Sequence, residues 1–66
     1  MDDIDRTIKE VVAEFFHEGH IKISSRTIAA RAKTSVRVVS THISRHDLGL
    51  CWEKRDRGII VLAHKR

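Results

Sequence analysis

The 66-residue sequence contains no proline, asparagine or glutamine, and it has a single cysteine, Cys51. One cysteine excludes an internal disulfide and is typical of proteins kept in a reducing compartment. Without asparagine and glutamine, no side-chain amide can form the bidentate hydrogen bonds that read adenine. A lack of thermolabile amides together with many charged residues also favours a thermophilic source.

Long apolar runs and catalytic motifs are missing as well. No stretch approaches the roughly 20 apolar residues of a membrane span. The acidic first five residues lack the basic and apolar parts of a signal peptide. We therefore expect a cytoplasmic protein with no membrane partner.

The chain also has no HExxH motif, no glycine-rich phosphate loop and no recognisable nucleophile–base–acid set. A length of 66 residues predicts one domain, residues 1–66, with little room for a substrate cavity. We expect no enzymatic activity, no cofactor and no small-molecule ligand.

Charge is distributed unevenly along the chain. Residues 1–20 contain two bases and six acids, a net charge of −4, whereas residues 21–66 contain eleven bases and three acids, a net charge of +8. No acid occurs between Glu18 and Asp47. This polarity predicts one surface that attracts polyanions. The alternative is an ordinary basic protein without such a partner.

Apolar periodicity predicts the first half of the fold. Residues 3–18 carry apolar side chains at the spacing of one helix face, and a glycine follows. Alternation of apolar and polar residues indicates a short strand over residues 20–24. Ser24 or Ser25 can then cap a second helix that ends near residue 33.

The second half predicts a third helix and a hairpin. Ser35 is a suitable N-cap for a helix over residues 35–46, whose inward face carries Val36, Val39 and Ile43. The last segment predicts a β-hairpin with arms at 50–54 and 59–63, joined through residues 55–58. We expect Trp52 to pack in the core against the first or third helix, with base stacking as the alternative.

This order of elements, together with the segment 25–43, resembles the winged helix-turn-helix family of DNA-binding domains. The matching positions are Ile28, Ala29, Ser35, Val39 and Ile43. The resemblance implies an α+β, mainly α fold with three helices, a short strand and a C-terminal hairpin wing. It favours a small transcriptional regulator of archaeal type.

The sequence departs from the family pattern in the turn between the second and third helices. Lys33 stands where the family often has glycine, and Thr34 stands where it often has an apolar residue. These differences indicate a turn that is longer than usual or differently shaped.

The resemblance also implies a mode of DNA binding, with the third helix in the major groove and the hairpin on phosphates or in the minor groove. Arg37 can bond guanine bidentately, and short hydroxyl side chains can reach bases or phosphates. Other bases can neutralise phosphates. The predicted DNA-binding residues are Arg26, Arg37, Ser40, Thr41, Ser44, Arg45, Lys54, Arg55 and Arg57.

Alternative functions stay open at this stage. The same surface would suit a sequence-neutral architectural or chromatin protein, or the domain could bind protein instead of DNA. A homodimer through the exposed side of the first helix is a further alternative, because many regulators bind two half-sites.

His42 and His46 are spaced for a shared metal ion, with Cys51 nearby in sequence. We favour instead a position for His42 beside the core. We expect His46 at the C-terminal end of the third helix, where the helix dipole favours a positive charge. We therefore predict no metal site.

Overall fold

The computed structural model describes residues 3–56 and 58–63. The elements follow the predicted order: α1 (Asp3–His17), β1 (Lys22–Ser24), α2 (Ser25–Ala32), α3 (Val36–Arg45), β2 (Cys51–Arg55) and β3 (Gly58–Leu62). The fold is α+β and mainly α, and its layout is compatible with a winged helix-turn-helix. None of the described helices is long and apolar enough to span a membrane.

The three strands form one antiparallel sheet in the order β1-β3-β2. Arg55 pairs with Gly58, so two residues connect β2 and β3. β1 is shorter than the predicted strand because its first residue, Lys22, already pairs with Leu62, where β3 ends. Ile21 therefore precedes the strand and is 63% exposed, whereas Ile23 is buried.

The core lies between the three helices and one face of the sheet. α1 contributes four apolar side chains, α2 and α3 contribute two each, and the sheet and the loop after α3 supply the remainder. The buried apolar residues are Ile8, Val11, Val12, Phe15, Ile23, Ile28, Ala29, Val39, Ile43, Leu48, Ile59 and Val61. Of the two adjacent phenylalanines, Phe15 is buried in the core, and Phe16 is partly buried against it.

The turn between α2 and α3 is short, with only three residues between Ala32 and Val36. Lys33 adopts the left-handed conformation, with φ 58° and ψ 45°, and its backbone N–H donates to the Ala29 carbonyl. The N–H of Thr34 donates to the same oxygen at 3.0 Å. Lys33 thus occupies a backbone conformation that glycine adopts with least strain. The three-residue turn accommodates Lys33 without added length, so of the two expectations, a longer turn or a different shape, the added length is not seen.

Trp52 is not a core residue, and the prediction that it packs in the core is wrong. Its side chain is 37% exposed, although it pairs across the ladder with the fully buried Val61. Directly paired residues share one face of a sheet, so Trp52 lies on the helix-facing side. β2 is an edge strand, and Trp52 therefore lies at the border of the core, where it lines a groove beside Ser44 and Arg45 of α3.

Candidate nucleic-acid interface

The outward face of α3 is polar and free of acids. Ser35 caps the helix as predicted, with its Oγ accepting a hydrogen bond from the Val38 N–H at 3.1 Å. Val39 and Ile43 are buried, which directs the opposite side of the helix to solvent. The exposed residues on that side include four predicted contacts, Arg37, Thr41, Ser44 and Arg45.

Ser40 has a different environment from the other predicted contacts of α3. The residue is half-buried, and its Oγ is inaccessible to solvent and has no hydrogen-bond partner in the described part of the chain. It lies near Gly58, where an added Cβ would come within 3.8 Å of the Ser40 Oγ. Ser40 therefore belongs to the contact between α3 and the hairpin, and we leave it out of the exposed face.

The hairpin lies directly beside α3. Lys54 pairs with Ile59, a buried residue on the helix-facing side of the sheet, so Lys54 emerges on the same side as Trp52. An open groove runs between the two elements. α3 lines it with Thr41, Ser44 and Arg45, and β2 lines it with Trp52, Lys54 and Arg55.

The start of α2 borders the hairpin on its other side. The buried Ser25 Oγ accepts a hydrogen bond from the Ile59 N–H at 3.2 Å, which ties α2 to β3. Gly58 makes this approach possible, because a Cβ at that position would stand 2.5 Å from the Ser25 Oγ. Arg26 and Arg55 line the surface depression at this junction.

The basic residues differ in whether they already have an acidic partner. Arg55 donates to the Glu53 carboxylate at 2.7 Å. Arg31 donates to Glu18 at 2.9 Å and lies 3.8 Å from Glu14. Within residues 3–56 and 58–63, no ion pair involves four of the predicted contacts, Arg26, Arg37, Arg45 and Lys54.

The structure therefore brings Thr41, Ser44, Arg45, Lys54 and Arg55 into one groove. Arg37 stands exposed on the same helix nearer its N-terminus, and Arg26 lies at the adjoining junction. Arg57 lies outside the described residues, as do the three residues of the basic tail, 64–66.

A second cluster lies at the C-terminal end of α3 and includes His42, His46 and a residue of α1, Asp5, that sequence reasoning missed. The Nδ1 of His42 donates to the Asp5 carboxylate at 2.7 Å, and the Nδ1 of His46 donates to it at 2.9 Å. The two imidazole rings meet edge to face at 4.7 Å. Asp5 comes from the first turn of α1, 37 residues before His42. The signal that could have found it is an acid three residues before Ile8, on the helix face that is otherwise apolar.

Asp5 is buried in α1, and the other buried residues of that helix are all apolar. Its carboxylate faces the C-terminal end of α3. Burial alone would raise its pKa. Hydrogen bonds from His42 and His46 and the charge of both rings outweigh burial and hold the pKa of Asp5 below its ordinary value of 3.8. Asp5 is therefore an ionised group whose neighbours are two nitrogen donors.

A comparison of the chain with family models, with curated protein sequences and with solved structures found no match.

Proposed function

We propose that the protein binds double-stranded DNA, with α3 in the major groove and the β2–β3 hairpin against the phosphate backbone. The observation that carries the proposal is the acid-free outward face of α3, where Arg37 and Arg45 have no ion-pair partner among the described residues. An arginine with no internal partner keeps its full donor set for an external anion.

The hairpin extends the basic surface of α3. Lys54 and Arg55 line the same groove as Arg45, and Arg26 adds a fourth cation at the α2 junction. If each of these four bases neutralises one phosphate, the logarithm of affinity falls with the logarithm of salt at a slope of about −3.6. Such a slope accounts for binding but carries no sequence information.

Sequence recognition would depend on Arg37, the longest polar side chain in the first turn of α3. A bidentate contact to guanine contributes about 1–3 kcal/mol of discrimination. Thr41 and Ser44 can add shorter contacts at close approach. A domain that discriminates in this way suits a transcriptional regulator.

The sparse base-reading chemistry on α3 favours a second candidate, a sequence-neutral architectural binder. Arg37 is the one polar side chain in the first turn of α3, where Val36, Val38 and Val39 are apolar, and the sequence has no asparagine or glutamine to read adenine. In that case the same surface binds any duplex with the same salt dependence.

The test measures fluorescence anisotropy of the full chain with duplexes selected from a random pool and with unselected duplexes, at two salt concentrations. Arg37→Ala should weaken binding to selected duplexes by about 10- to 100-fold and abolish their preference. Arg45→Ala should weaken binding to all duplexes equally and flatten the salt slope by about 1.

Arg31→Ala is the matched control, because it removes an arginine whose partners are Glu14 and Glu18. It should leave affinity unchanged. A selection that returns no motif, with Arg37→Ala weakening every duplex alike, would favour the architectural binder. Failure of the unmodified chain to bind any duplex at low salt would refute both candidates.

A further inference from the structure

Three potential metal ligands meet where the first turn of α1 contacts the last turn of α3. They are the carboxylate of Asp5 and one nitrogen each of His42 and His46, and all three donor atoms lie within 4.8 Å of one another. Asp5 is buried, His42 is half-buried, and His46 is exposed. The cluster lies at the other end of α3 from Arg37, and none of its three residues is among the proposed DNA contacts.

We propose that Asp5, His42 and His46 bind a divalent first-row transition-metal ion, with Zn²⁺ as the natural probe. Two imidazoles and one carboxylate are a donor set that such ions accept. His42 lies in the last turn of α3, and His46, four residues later, is the C-cap of that helix. Both Nδ1 atoms reach the same Asp5 carboxylate, so the two rings converge on one point. The first turn of α1 supplies the third ligand across the helix–helix contact.

The observed distances are close to those of an occupied site. Metal–ligand bonds of about 2.0–2.2 Å in tetrahedral geometry separate two ligand atoms by about 3.4 Å. The Nδ1–oxygen distances between the histidines and Asp5 are now 2.7–3.0 Å, so an ion needs an opening of about half an ångström. Coordination through Nδ1 requires each ring to carry its hydrogen on Nε2.

The site has an entry path and an open coordination position. The His46 side chain is 43% exposed, so an ion can reach the cluster from solvent without passing through the core. Three protein ligands leave a fourth tetrahedral position for water or an external ligand. Bound metal would join α1 to α3 and stabilise the folded chain, because the unfolded chain does not hold these three groups together.

The experiment titrates Zn²⁺ into metal-free, tag-free full chain by calorimetry and repeats the titration with Co²⁺ by visible absorption. We expect one ion per chain and a Zn²⁺-dependent rise in Tm. NMR spectra of ¹⁵N-labelled protein should show a change in the side-chain ¹⁵N chemical shifts of Nδ1 in His42 and His46. His46→Gln, Asp5→Asn and His42→Ala should each weaken Zn²⁺ binding by at least about tenfold.

His17→Ala/His20→Ala is the matched control, because it removes two exposed histidines next to Glu18 and leaves the cluster intact. Its Zn²⁺ affinity should equal that of the unmodified chain. His46→Gln changes an exposed side chain, and circular dichroism will establish that the variant folds. The proposal is overturned if no binding occurs at micromolar Zn²⁺, or if folded His46→Gln binds Zn²⁺ as well as the unmodified chain does. DNA binding by the metal-free chain is measured separately, so either proposal can fail alone.

Discussion

Two arginines, Arg31 of α2 and Arg45 of α3, have different surroundings and suit different roles. Arg31 lies 3.8 Å from the centroid of the Phe15 ring and forms ion pairs with Glu14 and Glu18 of α1. Arg45 is exposed on α3 and forms no ion pair within the described residues. Both belong to the basic part of the sequence, so the net charge of that part does not distinguish them.

The difference comes from what packs against each face. α1 brings its acids alongside α2, and they neutralise the base that α2 presents there. The hairpin instead brings Lys54, Arg55 and one acid, Asp56, alongside the acid-free face of α3, so its contribution to the groove is net positive. We call the surface of Arg31, Glu14 and Glu18 the paired face and the groove of Arg45, Lys54 and Arg55 the open face. The paired face is suited to holding the fold together, and the open face is suited to binding an external polyanion.

The largest expected effect comes from breaking the geometry that holds the hairpin against the helices. Gly58→Ala should destabilise the protein by about 3 kcal/mol, because its φ of +145° strains a side chain and the new Cβ would stand 2.5 Å from the Ser25 Oγ. Urea unfolding monitored through the single tryptophan measures this change. DNA affinity should fall as well, since the open face depends on the position of the hairpin.

Gly49→Ala is the matched control for Gly58→Ala. Its φ is also positive, at +72°, but nothing lies within 4 Å of an added Cβ, so we expect a cost of only about 1 kcal/mol. In a Ser25→Ala background the cost of Gly58→Ala should shrink, because the crowded oxygen is gone. Equal costs for the two glycines would contradict the close packing of Gly58 on α2.

A second prediction sharpens the contrast between the two faces by removing one acid from each. Glu53→Gln frees Arg55 on the groove side and should tighten DNA binding by up to about 1 kcal/mol, with a steeper salt slope. Glu14→Gln makes the same change in net charge on the paired face and should leave affinity nearly unchanged. Anisotropy titrations at three salt concentrations measure both variants. Equal tightening would mean that net charge alone governs binding.

The sequence was sufficient to predict the order of elements, the Ser35 cap and the buried positions of α3, because these depend on local spacing and capping. It was not sufficient for Trp52 or Asp5. The exposure of Trp52 depends on β2 being an edge strand, and the position of Asp5 depends on how α1 crosses α3. Both are long-range properties that periodicity does not encode.

A substitution in the turn between α2 and α3 should have a smaller effect on stability than Gly58→Ala, and of opposite sign. Lys33→Gly should stabilise the protein by about 0.5–1 kcal/mol, because it relieves a left-handed backbone at φ 58° and loses part of that gain to the greater freedom of unfolded glycine. Lys33→Ala removes the same charge but keeps the Cβ, so it should not stabilise. Urea unfolding measures both variants, and a stabilising Lys33→Ala would point to charge instead of backbone strain.

The smallest expected effect concerns the paired face and its dependence on pH. The hydrogen bond from Arg31 is the main reason that the pKa of Glu18 lies below its ordinary value of 4.5, with partial burial opposing it. A carboxyl with a depressed folded pKa stabilises the protein above its unfolded pKa, and this contribution is lost as pH falls through the folded pKa. The difference in unfolding free energy between the unmodified chain and Glu18→Gln should therefore shrink between pH 6 and about pH 3.5.

In an Arg31→Ala background, urea unfolding should show little such change with pH, because the partner that lowers the Glu18 pKa is gone. A pH dependence that persists without Arg31 would show that the ion pair does not distinguish this face from the open one.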